Sequence, residues 1–203
     1  MTTSALPSIL EAFDLDRAMA HVRWLSERTP NRISGGGQDR LAAEYIRDTL
    51  ASYGLAAGLQ EFDTYTSTIG SGSLDVLSPE AWTPVVNPCL HIDPPPPGGV
   101  VGELVAVGPG GREDYIGLDV RGKIVLAEVS YAPATPEKAR LAYEQGAIGI
   151  VLMNWGTSDQ DNIPWRALKA VWGNPTRATW NEIPRLHALA ITRRDGERLK
   201  AQC

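Results

Sequence analysis

The spacing of apolar residues changes character along this chain. Leu15, Ala18, Met19, Val22 and Leu25 fall on one face of a helix running to about Arg28. Asp14 stands at the N-cap position, and Pro30 follows the expected end. A second helical pattern carries Leu41, Tyr45, Ile46, Thr49, Leu50 and Tyr53 on its buried side. Gly54 ends it, with Leu55 placed for the apolar contact of a Schellman motif. Residues Leu59 to Thr66 then alternate as a strand does, Thr66 to Ser73 reads as a hairpin turn or a mobile loop, and Leu74 to Leu77 as the return strand of such a hairpin. Pro79 and Pro84 mark a change of composition, which divides the chain into residues 1–80 and 81–203.

The second part is richer in strands and turns. Pro94 to Pro97 and Gly98-Gly99 form a stiff stretch and a hinge. Val100 to Val107 predicts a strand, stopped by Gly108-Pro109-Gly110-Gly111, and Asp119 to Gly122 a tight turn. The runs Lys123 to Val129 and Ile148 to Met153 are continuous, apolar and β-branched, as strands buried on both faces are. Between them Thr135-Pro136-Glu137 reads as a hydroxyl N-cap, a proline at the first helical position and an acid in the first turn. Ala139, Ala142 and Tyr143 give that helix its stripe, and Gly146 its left-handed end. This order predicts a parallel strand pair joined by a helical crossover. An irregular stretch to Glu182 follows, in which Trp165 to Trp172 is a candidate helix. Leu186 to Ile191 predicts a last strand, and Asp195 to Lys200 the opening of a helix.

Composition narrows the function classes. The chain has 203 residues, 43% apolar and 21% charged, with a net charge of −5. Lys and Arg are scattered, which argues against a nucleic-acid surface. No run of eighteen apolar residues suggests a membrane span. The N-terminus shows no basic start, apolar core and cleavage site, so the expectation is a cytoplasmic protein or one whose leader has been removed. Two cysteines, Cys89 and Cys203, do not make a disulfide framework.

Candidate chemistry is sparse. Ser34-Gly35-Gly36-Gly37 at a helix start could hold an anion, but Gln38 and Asp39 follow where a P-loop needs Lys and Ser or Thr. His91-Ile92-Asp93 sets an imidazole and a carboxylate two apart on a strand, a spacing that can share a metal. The plainer reading is an exposed pair at a strand end. Cys89 and His91 lack a third orienting group for nucleophilic catalysis, and Asp159 and Asp161 lie in a polar loop without burial to separate their acidities. Trp155, Trp165, Trp172 and Trp180 are candidates for a docking or substrate-access surface or for the core, and the expectation is a mixture, with two buried and one or two on that surface. No catalytic, cofactor or metal residue is assigned within the chain.

Gly102 to Val107, Gly122 to Leu126, Gly146 to Val151, Ile183-Pro184 and Asp195-Gly196 with Leu199 together resemble the protease-associated domain, in order and spacing across about a hundred residues. The first eighty residues, with the turn Arg28 to Gly37 and AAEYIRDTLASYGL, resemble the start of the co-catalytic zinc aminopeptidases of the glutamate carboxypeptidase and transferrin-receptor branch. The resemblance implies an α+β fold: a β-rich domain with a mixed sheet or open barrel and flanking helices, preceded by two helices and a short hairpin. It also implies a non-catalytic role, shaping access of peptide or protein substrate to a peptidase domain in cis. That domain's two zinc ions and their ligands would lie beyond Cys203, which makes this chain inactive by itself. His91-Ile92-Asp93 looks like the family's first zinc motif but precedes the protease-associated signature instead of following it. Two alternatives are a stand-alone interaction module of the protease-associated type and a small metalloenzyme using His91 and Asp93. The apolar faces of the first two helices further predict self-association through them.

Overall fold

The computed structural model describes residues 11–163, 165–169 and 175–203. The chain divides into two compact units, Met1–Thr64 and Tyr65–Cys203.

The first unit holds α1, Leu15–Arg28, and α2, Gln38–Ser52. The Asp14 carboxylate accepts from the Arg17 N–H at 3.0 Å, the expected cap. At the end of α2, Gly54 takes φ +81 while the Leu55 N–H donates to the Leu50 carbonyl at 3.1 Å, closing a Schellman turn. The two helices meet through aromatic rings: Trp24 stacks on Tyr45 with centroids 3.8 Å apart. His21 links the same helices, with Nδ1 2.6 Å from the Tyr45 hydroxyl and Nε2 3.0 Å from that of Tyr53. No residue of α1 is buried, and Ala42 is the buried residue of α2. Leu15, Val22, Leu41 and Ile46 stand exposed on the faces that the sequence assigned to a core.

The second unit is a five-stranded mixed sheet of order β1-β5-β4-β3-β2. Its strands are β1 Val86–Pro88, β2 Leu104–Ala106, β3 Ile124–Glu128, β4 Gly149–Met153 and β5 His187–Ile191. Strands β2 to β5 run parallel and β1 pairs antiparallel with β5. The predicted crossover is present: α3, Thr135–Glu144, joins β3 to β4, and Gly146 ends it at φ +87. The helix starts one residue earlier than predicted, with Ala134 as N-cap and Thr135 already helical.

Both faces of β3 and β4 are covered. Val125, Ala127, Ile150 and Leu152 pack against Ala139, Leu141 and Ala142 of α3. Leu126, Val151 and Met153 face Leu199 of α4, Arg193–Lys200, together with Leu74, Val76 and Trp82. Thr192 caps α4 by accepting from the Asp195 N–H at 3.0 Å, so the helix opens two residues before the predicted Asp195.

Three expected elements differ. Residues 59–66 form no strand, because no neighbouring strand offers them a ladder; the hairpin reduces to an antiparallel bridge between Val76 and Trp82. The strand predicted over Val100 to Val107 is confined to Leu104–Ala106, since its partner β3 begins opposite Leu104. Residues 165–169 are not helical; Ala167 instead bridges to Leu90, and the rest of the expected helix, to Trp172, lies outside the described residues.

Helix α4 lies so close to the sheet that a Cβ on Gly196 would fall 2.2 Å from Met153 Cγ. Gly196→Ala should therefore destabilise the fold by about 1–3 kcal/mol in urea denaturation, through overpacking. The penalty should shrink in a Met153→Ala background, where the clashing side chain is gone.

Candidate functional site

The parallel strands gather their following loops at one end of the sheet, where open α/β sheets bind ligands. Ser130 and Tyr131 emerge after β3, Asn154 and Trp155 after β4. Tyr131 and Trp155 meet edge to face, centroids 5.8 Å apart, with 94% and 53% of their surfaces exposed. An aromatic pair left in water is a recognition feature more than a packing one. Asn154 is buried beside it, and its Nδ2 donates to the Asn162 carbonyl at 3.0 Å, folding the following loop back.

Lys138 supports this end from below. It is wholly buried, and its Nζ donates to the Pro109 carbonyl at 2.5 Å and to Ser130 Oγ at 2.8 Å. Burial pushes its pKa below the ordinary 10.5, and the fields of Asp114 and Glu128 oppose that shift. Among the described residues no carboxylate lies within ion-pair distance of it. Lys138 therefore fastens the glycine-rich loop before β3 to the loop after it. On the other face Glu128 accepts from Lys200 at 2.7 Å and Arg193 at 3.0 Å, with its carboxyl held below the usual range chiefly by the Lys200 bond.

Among the described tryptophans, Trp155 follows β4 while Trp180 precedes β5. Trp180 lies before β5, at the opposite end of the sheet from Trp155, with the Arg185 guanidinium 4.8 Å from its ring centroid. A five-residue strand separates those ends by roughly 16 Å. Trp165 is half exposed, and Trp172 lies outside the described residues.

His91 and Asp93 engage different neighbours. His91 is buried, not exposed as the plainer sequence reading had it, and its backbone takes φ +58. The nearest described cation to the Asp93 carboxylate is Arg185, at 3.7 Å, and its carbonyl accepts from His187 Nδ1 at 2.8 Å. No group of three or more metal-ligating side chains occurs among the described residues. The pair therefore does not fit a zinc site.

Other candidate groups are spoken for. Burial raises the Cys89 thiol to about 12, so it offers no thiolate at neutral pH. Asp161 pairs with Arg194 at 2.9 Å and Asp159 accepts from the Thr157 hydroxyl, so neither is a poised acid. In the glycine loop Asp39 accepts from the Gly35 and Gly37 N–H groups at 2.7 and 3.0 Å, taking the place an anion would occupy. Sequence reasoning passed over Lys138 and Tyr131. Lys138 had one signal, its position in the stripe with Leu141 and Ala142; Tyr131 had none short of the fold.

Residues 100–199 match the family of the PA domain. This part of the chain is a PA domain. No curated protein matches the chain. Among solved structures it is similar to an aminopeptidase from Aneurinibacillus sp. strain AM-1, at 24% identity and TM-score 0.65, over 93% of this chain and 40% of that one. BSAP, a zinc aminopeptidase from Bacillus subtilis, gives 22% identity and TM-score 0.59, over 94% of this chain and 42% of that one. A peptidase M28 precursor from Shewanella amazonensis SB2B gives 19% identity and TM-score 0.61, over 90% and 42%. The fold of the PA domain and of the helices before it is thus shared with these proteins, and the chain spans about two fifths of their length. No described helix is long and apolar enough to cross a membrane.

Two measurements check this site. Native alkylation at pH 8 should modify the exposed Cys203 and spare Cys89, with both reacting in denaturant. For Lys138 the unfolded chain holds its proton up to 10.5 while the folded chain releases it earlier, so its contribution to stability rises with pH below 10.5. Urea midpoints from pH 8 to 10 should rise relative to those of Lys138→Met, which lacks the group.

Proposed function

We propose that this chain is the non-catalytic, access-shaping region of a zinc aminopeptidase. In this reading residues 1–80 are the front of the catalytic domain and residues 81–203 the PA region inserted into it. The observation that carries the reading is coverage: aminopeptidase structures, one of them that of a zinc enzyme, accommodate more than nine tenths of this chain within about two fifths of their own length. The exposed faces of α1 and α2 support it, because Leu15, Val22, Leu41 and Ile46 are apolar surface of the kind that a further domain covers.

The peptidase domain, acting in cis, would bring two zinc ions, which activate water and polarise a scissile carbonyl. The donor set described above does not fit them, so no catalytic step is assigned to these residues. Their contribution is shape. Tyr131 and Trp155 offer a rigid aromatic edge, with Lys138 holding the loop beneath, and peptide substrate is the partner such an edge suits. Trp165 and Trp180 belong to a separate part of the access surface.

The purified chain should show no turnover of aminoacyl-anilides with zinc added. Turnover that follows the protein through repurification and is abolished by chelation would overturn the reading. Without the catalytic domain, the helices should pair with a second copy. Sedimentation should show a concentration-dependent dimer, weakened at least tenfold by Leu15→Lys with Val22→Lys, in which two apolar contacts are replaced by like charges.

A further inference from the structure

His91 combines features that packing alone does not require. Among the described residues it is the non-glycine residue at positive φ, +58, a conformation that stores strain in a side chain of its kind. It is 7% exposed, and its Nδ1 is buried with no hydrogen-bond partner among them. What covers it is the segment by which the chain enters the second unit. The Tyr65 ring lies 5.4 Å from the imidazole, tilted by 37°, and the His91 N–H donates to Ser67 Oγ at 3.2 Å. Further along, Gly72 sits against β5, where an added Cβ would be 2.9 Å from Leu189 Cδ2. Residues 65–73 have no regular secondary structure, and these contacts tie them to the second unit.

We propose that His91 is an acid-released latch holding residues 65–73 against the second unit. The neutral ring can keep a bare lone pair at Nδ1 beneath Tyr65. A protonated ring carries N–H groups on both nitrogens, and the buried one has no described acceptor. Hydrating it requires the Tyr65 cover to lift, and Ser67 is carried with it.

The surrounding charges act in the same sense. Burial lowers the pKa of His91 from 6.5, and Lys169, from the segment paired to Leu90, opposes a positive charge on the imidazole as well. Arg166 lies in that segment and adds a donor, and His187 is turned to the Asp93 carbonyl through Nδ1. The Asp93 carboxylate is 3.7 Å from Arg185. Folded His91 therefore titrates below its opened form. The opened state gains protons first, and the latch weakens as pH falls below 6.5. At pH 5 the gain of the opened form is bounded at about thirtyfold for an opened imidazole titrating near 6.5. The inference is independent of the aminopeptidase reading, since it concerns only residues within the second unit.

Hydrogen exchange on the full chain tests it. After correction for intrinsic rates, amides of residues 65–73 and of His91 should exchange faster at pH 5 than at pH 7.5, by up to about thirtyfold. Amides of β3 and β4 should not follow. His91→Asn, in which the side chain tolerates positive φ and does not titrate, should flatten the dependence. Tyr65→Ala should speed exchange at both pH values. NMR titration of His91 in the unaltered protein gives a second readout: a value below 6.5 supports the latch. A value at or above 6.5, pH-independent exchange of the segment, or unchanged pH dependence in His91→Asn would each overturn it.

Discussion

The second unit answers to one constraint, the need to bury β3 and β4 on both faces. Val125, Ala127, Ile150 and Leu152 point one way and Leu126, Val151 and Met153 the other, and all are nearly inaccessible to water. Each large apolar side chain left exposed would forgo about 1.5–3 kcal/mol. Helix α3 shields the first face; α4 and the stretch around Val76 and Trp82 shield the second. Glu128 marks where this regime ends. It falls on the α4 side at the last position of β3, and there the packing gives way to a carboxylate clasped by Arg193 and Lys200.

Features with a local cause were legible in the sequence. Asp14, Gly54 and Gly146 begin or end helices through bonds to residues three to five away, and the apolar runs of β3 and β4 declare burial directly. Features set by distant partners were not. The alternation of Leu59 to Thr66 is a fair strand pattern, yet a strand exists only beside another strand. The length of β2 depends on where β3 begins, which its own residues do not encode. Thr192 shows the intermediate case: a hydroxyl just ahead of Arg193-Arg194 is a cap signal, outweighed in a linear reading by the acid at Asp195.

The same division governs the candidate site. Trp155 draws attention as a tryptophan, but its companion Tyr131 is brought beside it only by the register that sets Glu128 opposite Met153. Trp180, which the sequence grouped with it, is carried to the far end of the sheet by the direction of β5. Residue types that suggest chemistry are likewise redirected by the fold. The glycine loop that could receive an anion receives Asp39, and the histidine of an apparent metal pair is buried at a positive φ.

The common direction of β2 through β5 has a consequence for how such a domain diversifies. Turns following the strands collect at one rim, while the residues that hold the layers together are confined to the strand interiors and helix stripes. Substitution, lengthening or shortening at the rim leaves the interior undisturbed. Descendants of one scaffold can thus exchange their outer contours freely, and the lysine anchored beneath that rim keeps each new contour attached to the same foundation.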